Sequence, residues 1–240
     1  MSRAAKFSTW NVGSLLSNLA RNTATLINTV KQDAPDVLCM QELPYSQDLW
    51  DKIKQNCGFE HFYYYKTSRS HVAEGWDMGI GIFSKYPLSD LAVRELTLPT
   101  ERIFYGGREE SWHRKFYLKA ALSLNGSSVT LFTGHGFPFY RYGLSEEEHS
   151  SVYGEIDSFI SECSPTPDYV ICTDFNAYNA VRFMPFVSRT HRDVFADTPT
   201  RPTGRKTDAI VIPTAKDILA SRNETVDGMD HNYLSVTVSL

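Results

Sequence analysis

Several side chains capable of hard-metal and acid–base chemistry sit where short apolar runs end. Glu42 follows the run Val37-Leu38-Cys39-Met40-Gln41, and a carboxylate in that place is either a solvated strand-end charge or a ligand for a hard cation. Asp174 and Asn176 flank Phe175, so on an extended backbone the acid and the amide project together while the ring turns to the other side. Asx residues also make turns, and both readings stand at this level. Asp208 precedes the run Ala209-Ile210-Val211-Ile212, and Asp230-His231 precedes a further β-rich segment. A carboxylate beside an imidazole fixes its tautomer and makes it a general base.

Around these residues there is neither a G-x-S-x-G elbow nor a Walker loop, which argues against acyl transfer and nucleotide kinases. Oxygen donors favour Mg²⁺, Mn²⁺ or Ca²⁺ over zinc, and a Mg²⁺ held by one or two carboxylates keeps positions for phosphate oxygens and water. Metal-assisted phosphoester hydrolysis is the chemistry this set supports.

Positioning such groups requires a substantial scaffold, and 240 residues with 42% hydrophobic and 22% charged side chains can bury one. No linker or low-complexity tract divides the chain, so one domain over 1–240 is expected. The four cysteines show no C-x-x-C pair, no window has the apolar length of a membrane span, and the start of the chain is too polar for a secretory signal. A cytoplasmic location is the expectation. The net charge of −4 excludes a global basic field, though not a local one.

The chain echoes itself. Pro35–Glu42 aligns without gaps on Pro167–Asp174, an apolar run ending in an acid each time. A helix is expected before each. The first carries Leu15, Leu16, Leu19, Thr23, Leu26, Ile27 and Val30 on one face; the second opens on the capping-box pair Ser145 and Glu148 and buries Val152, Ile156, Phe159, Ile160 and Cys163. Ahead of the helices run strands Lys6–Trp10 and Val129–Thr133. Two more strands are expected in each half, Met78–Ser84 with Leu118–Leu124, and Thr207–Ile212 with Leu234–Ser239. Continuously apolar strands are covered on both faces. The expected α/β architecture is therefore two sheets packed face to face with helices outside, gathering Asn11, Glu42, His135, Asp174 and Asn176 at one edge.

In this order, Thr9-Trp10-Asn11, Met40-Gln41-Glu42, Met78–Pro87, Thr133-Gly134-His135, Thr173-Asp174-Phe175-Asn176, Thr207–Ile210 and Asp230-His231 resemble the motifs of the endonuclease/exonuclease/phosphatase (DNase I-like) superfamily. The resemblance implies a four-layer α/β sandwich with a pseudo-twofold axis. It further implies Glu42 as the main metal ligand, Asn11 on metal or phosphate, Asp230 as a metal-side carboxylate, and Mg²⁺ or Mn²⁺ as cofactor. His231 looks like the general base, oriented by Asp208, with Asp174 and Asn176 positioning water and phosphate. His135 resembles the second histidine of the DNase I-like, sphingomyelinase-like and deadenylase-like branches, which binds phosphate and protonates the leaving oxygen. Thr173 and Met229 depart from the usual Gly and Ser of their motifs, and Asp77 and Glu74 are candidates for the acidic partner of His135.

For substrate binding, Lys119 stands where relatives often have arginine, beside a solvated-strand reading. Basic residues cluster in Arg102–Lys119 and Arg189–Lys206, which would form a local positive rim. Tyr105, Trp112, Phe137, Phe139, Tyr140 and Tyr142 are candidates for stacking on bases or for core packing, with Tyr140 and Arg141 singled out by their place after His135. Nucleic acid, DNA or RNA, is the expected substrate. A phospholipid head group, an inositol phosphate or a phosphotyrosyl adduct suits the same chemistry, and a catalytically silent binding module is the alternative from another class.

Overall fold

The computed structural model describes residues 4–70, 72–99, 104–105, 108–109, 114–124, 126–164 and 166–240. In chain order these form β1 (Ala4–Asn11), a 3₁₀ turn (Gly13–Ser17), α1 (Leu19–Asp33), β2 (Val37–Pro44), α2 (Gln47–Cys57), β3 (His61–Arg69), β4 (Asp77–Ser84) and β5 (Leu88–Glu95). Two short strands, β6 (Phe104–Tyr105) and β7 (Arg108–Glu109), are followed by β8 (Phe116–Leu124), β9 (Ser127–Gly134), α3 (Ser151–Cys163) and β10 (Tyr169–Asp174). The remainder comprises α4 (Pro185–Ser188), β11 (His191–Asp193), β12 (Asp208–Pro213), β13 (Ile218–Glu224) and β14 (Tyr233–Ser239).

Two six-stranded mixed sheets result, ordered β13-β14-β1-β2-β4-β3 and β5-β8-β9-β10-β12-β11. Each contains one parallel pair, β1 with β2 and β9 with β10, and parallel neighbours need a long crossover. Helices α1 and α3 supply it. Alternation along β2 shows how the layers form: Val37 and Cys39 pack against the opposite sheet with Leu131, Cys172 and Ile210, while Leu38 and Met40 pack under α1 and α2 with Leu26, Val30 and Ile53. On the second sheet Phe132, Tyr169, Ile171 and Val211 meet Val152, Ile156, Phe159 and Ile160 of α3. The architecture is the expected DNase I-like α/β sandwich, helices outside and sheets face to face. No helix among the described residues is long and apolar enough to cross a membrane.

Three expectations change. Strand β8 pairs with β9 in the second sheet, and β14 pairs with β1 in the first, so each lies in the sheet opposite to the half in which its sequence stands. Local apolar pattern marks a strand but not its neighbour, and here the long-range pairing decides. The helical face beginning at Leu15 splits into the 3₁₀ turn and α1, because Asn18 caps α1 by accepting from the Arg21 amide at 3.3 Å. Ser145 does accept the Glu148 amide at 3.4 Å, but within turns, and α3 starts only at Ser151.

A buried histidine ties one sheet edge. His191 stacks on Tyr169 at 3.7 Å, donates through Nε2 to the Tyr169 carbonyl at 3.2 Å and accepts at Nδ1 from the Thr190 hydroxyl at 2.9 Å. Burial lowers its pKa to about 4. Below the unfolded value near 6.5 the unfolded chain takes up a proton that the native state refuses until about pH 4. Stability is therefore expected to be full above pH 6.5 and to fall by up to about 3 kcal/mol between there and pH 4. Urea melts of the wild type and of His191→Gln across this range check it; parallel pH dependences in the two proteins would reject the assignment.

Candidate active site

The parallel pairs bring the C-terminal ends of β1, β2, β9 and β10 to one edge of the sandwich, and every central residue of the site hangs from that edge or from the loops entering β8, β12 and β14. Reading the second sheet against the first, Thr9 on β1 corresponds to Thr133 on β9, and Glu42 to Asp174. Thr9 lies opposite Leu234 and Thr133 opposite Leu118. Three residues before those partners stand His231 and Lys115, so pseudosymmetry delivers an imidazole from one sheet and an ammonium from the other.

The register of β2 against β4 shifts between Met40 and Leu43, and Glu42 adopts φ 52°. A left-handed non-glycine residue costs about 1–2 kcal/mol. The bulge turns the Glu42 side chain into the cleft while Gln41 stays buried and donates to Thr133 of the other sheet at 3.2 Å. Glu42 Oε1 lies 3.4 Å from Asn11 Nδ2 and 3.5 Å from His135 Nε2. Its other oxygen sits where a Cβ on Gly13 would come to 2.0 Å, so any side chain at position 13 would push the carboxylate out of this place.

Asp174 is wholly buried. It accepts from Asn11 Nδ2 at 2.9 Å and from the Asn176 amide at 2.7 Å. Asn176 takes φ 55°, a conformation asparagine tolerates, and donates through Nδ2 to the Gly136 carbonyl at 3.0 Å. Asp208, also buried, accepts the hydroxyls of Thr200 and Thr207, each at 2.9 Å. Both its oxygens lie 3.0 Å from Nδ1 of His231. Nδ1 is thus occupied, and Nε2 is the nitrogen left on the cleft side, 3.9 Å from Asp230 Oδ2. Burial opposes the charge on His231, but Asp208 and Asp174 outweigh it and push its pKa up to about 9. Burial and the Asp208 charge raise Asp174 to about 6. Against its own burial, Asp208 is lowered by His231 and by the two threonine hydroxyls.

A cleft of about 250 Å³ opens over these groups, lined by Asn11, Gly13, Glu42, Lys115, His135, Tyr140, Arg141, Asn176, Arg201, Asp230 and His231 among others. Asn11, Glu42, His135, Asp174, Asn176, Asp208 and His231 are therefore brought together. Asn11 donates to both carboxylates, and its Oδ1 accepts the Gly13 amide at 3.0 Å. Asp230 stands at the rim, half-exposed and paired with Arg201 at 2.6 Å.

Lys119 is not in the cleft. It is four residues down β8 from Lys115, roughly 13 Å at strand rise, and pairs with Asp90. The lysine among the described residues lining the cleft is Lys115, with Nζ 3.2 Å from both ring nitrogens of His135. Among the described residues the acids within 4 Å of His135 are Glu42 and Asp174 rather than Asp77 or Glu74, and Asp77 pairs with Lys66 at 2.6 Å. Thr173, in place of glycine, donates its hydroxyl to the Gly134 carbonyl at 2.8 Å, and Met229 accepts from Ser14 at 3.6 Å. Phe137 and Phe139 are core residues, whereas Tyr140 reaches the cleft mouth. Of the second basic stretch, Arg201 lines the cleft and Arg205 an adjoining groove; Lys206 is buried against Asp193 at 2.6 Å. The side chains of Arg102, Tyr105 and Trp112 lie outside the described residues. The sequence marks Lys115 and Arg201 only as members of the two basic stretches, without setting them apart from their neighbours. Pairing β8 with β9, rather than with the first sheet, would have marked Lys115.

The model of the Endonuclease/Exonuclease/phosphatase family matches residues 8–205. The chain belongs to that family. Its members are named for phosphoester hydrolysis, and this chain carries the fold of such hydrolases. No curated protein matches it in sequence. Among solved structures it is similar to the human nocturnin catalytic domain with bound sulfate (TM-score 0.76, 15% identity, 98% of this chain and 93% of that one). It is also similar to an endonuclease/exonuclease/phosphatase from Beutenbergia cavernae DSM 12333 (0.73, 17%, 99% and 72%) and to D. rerio TDP2 complexed with a single-strand DNA product (0.66, 16%, 99% and 99%).

Among the described residues one cluster groups ligand atoms that could hold a divalent cation, and Glu42 offers a single carboxylate in the cleft. Asp174, Asp208 and His231 present atoms within 4.8 Å of one another, but those atoms already bind each other, the two threonines, Asn11 and Asn176. Glu42, aimed into the cleft over Gly13, is the better fit, since Mg²⁺ is held by one or two carboxylates and otherwise by water and phosphate. Gly13→Ala is expected to displace the Glu42 carboxylate and weaken Mn²⁺ binding by about tenfold or more, with the circular-dichroism spectrum preserved. Equal Mn²⁺ affinity by calorimetry would reject Glu42 as the ligand.

Proposed function

We propose that this chain is a divalent-metal-dependent phosphodiesterase, a nuclease-type hydrolase acting on DNA or RNA through water activated by His231. The observation that carries the reading is the pairing of His231 Nδ1 with both oxygens of buried Asp208, which leaves Nε2 on the cleft side, across from Glu42 and His135. Family membership supports the reaction class, and the DNA product bound by D. rerio TDP2 supports the substrate class.

Hydrolysis of a phosphodiester needs an in-line water, a base for its proton, and positive charge for the phosphoryl oxygens and the leaving alkoxide. In its neutral form, His231 accepts the water proton at Nε2, and Asp208 stabilises the imidazolium that forms. Asp174 shares that positive charge from 3.9 Å and holds Asn11 and Asn176 in place. Lys115 and His135, on the opposite wall, face the phosphoryl group and the leaving oxygen, and Tyr140 and Arg141 bind substrate at the mouth. When bound at Glu42, with Asp230 on the rim, Mg²⁺ or Mn²⁺ supplies Lewis-acid charge for the phosphoryl oxygens.

A panel of single- and double-stranded DNA, RNA, sphingomyelin and inositol phosphates with Mg²⁺ or Mn²⁺ tests this reading. Metal-dependent cleavage of a nucleic acid is expected, abolished by EDTA and reduced at least about 100-fold in His231→Ala. Activity that survives EDTA, or an unimpaired His231→Ala enzyme, would overturn the mechanism; cleavage of a lipid or inositol phosphate alone would overturn the substrate. Lys115→Ala is expected to lower kcat about 100-fold with KM less affected, because its charge meets charge that develops at the transition state. A change confined to KM would reassign Lys115 to ground-state binding.

A further inference from the structure

Beside the catalytic cleft runs a second, shallower groove lined by Tyr140, Arg141, Arg201, Thr203 and Arg205. Tyr140, Arg141 and Arg201 line both, so the two spaces adjoin. Three arginines line this groove in a chain whose net charge is −4, and Asp230 holds one of them, Arg201, from the adjoining cleft.

The groove is built. Thr200 and Arg201 both donate their amides to the Arg205 carbonyl, at 2.9 and 3.0 Å, and Gly204 at φ 83° closes the turn onto the Arg201 carbonyl. This tight loop sets Arg201 and Arg205 side by side. Arg201 is fixed by Asp230 at 2.6 Å and by donation to the Tyr140 hydroxyl at 3.2 Å, while the Arg205 guanidinium lies 4.5 Å from the Tyr140 ring centroid. Arg141 belongs to the 3₁₀ turn Phe139–Tyr142 on the other side. The same loop is anchored to the chemistry, because Thr200 donates its hydroxyl to Asp208 at 2.9 Å.

We propose that this arginine groove is a second phosphate-binding subsite, so that the preferred substrate carries another phosphate next to the scissile one. Guanidinium forks match phosphate oxygens two at a time, which makes clustered arginines selective for that chemistry. The inference rests on the phosphodiesterase reading and deepens it. An adjacent phosphate is supplied equally by the next nucleotide of an oligonucleotide or by a multiply phosphorylated small molecule.

Three probes separate these cases: a 5′-phosphorylated dinucleotide, inositol 1,4,5-trisphosphate, and bis(4-nitrophenyl) phosphate, which has a single phosphate. Wild type, Arg205→Gln, Arg205→Lys and Arg141→Gln are compared in kcat/KM with Mg²⁺, and in equilibrium binding of the first two probes under EDTA. The ratio of kcat/KM for a two-phosphate probe to that for the single-phosphate probe is expected to fall about tenfold in both glutamine variants, with a matching loss of affinity and partial recovery in Arg205→Lys. Whichever probe shows this names the source of the phosphate. Ratios and affinities unchanged in both glutamine variants, or no binding of either probe to the wild type, would overturn the subsite. If the wild type binds a probe under EDTA, the variants lose that binding, and no probe is hydrolysed, the subsite stands and the phosphodiesterase reading fails.

Discussion

Burial of two carboxylates and an imidazole against one another at the sandwich edge governs the structure around them. Charge taken out of water is stable only when every lone pair and proton finds a partner. Asn11, the Asn176 amide, Thr200 and Thr207 supply those partners to Asp174 and Asp208, and His231 supplies the countercharge. They come from the ends of β1 and β10, from the connection between β11 and β12, and from the loop ahead of β14, so the network ties the two sheets together at this edge. The Trp10 indole adds a further tie by donating to the His231 carbonyl at 3.0 Å, which sets the loop ahead of β14 relative to β1.

Pseudosymmetry explains how one edge comes to hold so many polar groups without weakening the core. The same βαβ plan is used twice, and its strand ends naturally emerge together. Equivalent places then differ in chemistry: Glu42 answers to Asp174, Asn11 to His135, and His231 to Lys115. The first sheet and its loops bring Asn11, Glu42 and His231 to the edge, and the second brings His135, Lys115 and the deeply buried Asp174.

The fold was legible in the sequence where apolar runs were continuous, as in β2 and β10, and where the two halves repeat. Strands β3, β5 and β13 were not, because they lie at or near sheet edges with half-exposed, mixed side chains that lack a clean alternation. Motif spacing located Asn11, Glu42, His135, Asp174, Asn176, Asp208 and His231. It failed for the cations. Lysine and arginine carry little pattern of their own, so Lys115 and Arg201 become visible only once β8 is paired with β9 and the Thr200–Arg205 turn is closed, while Lys119 lies in the middle of its strand, paired with Asp90.

Strand β14 lies beside β1, joining Tyr233 to Ser8 by a hydroxyl contact of 2.8 Å across a separation of 225 residues. Contacts so distant in sequence form late, since the intervening loop must first be closed. Before β14 docks, Asp208 has its threonines but no imidazole, and the cleft has one wall. The Asp208–His231 pair is therefore made only in a chain whose first sheet is complete: the contact that closes the sheet from the far end of the sequence also closes the cleft edge.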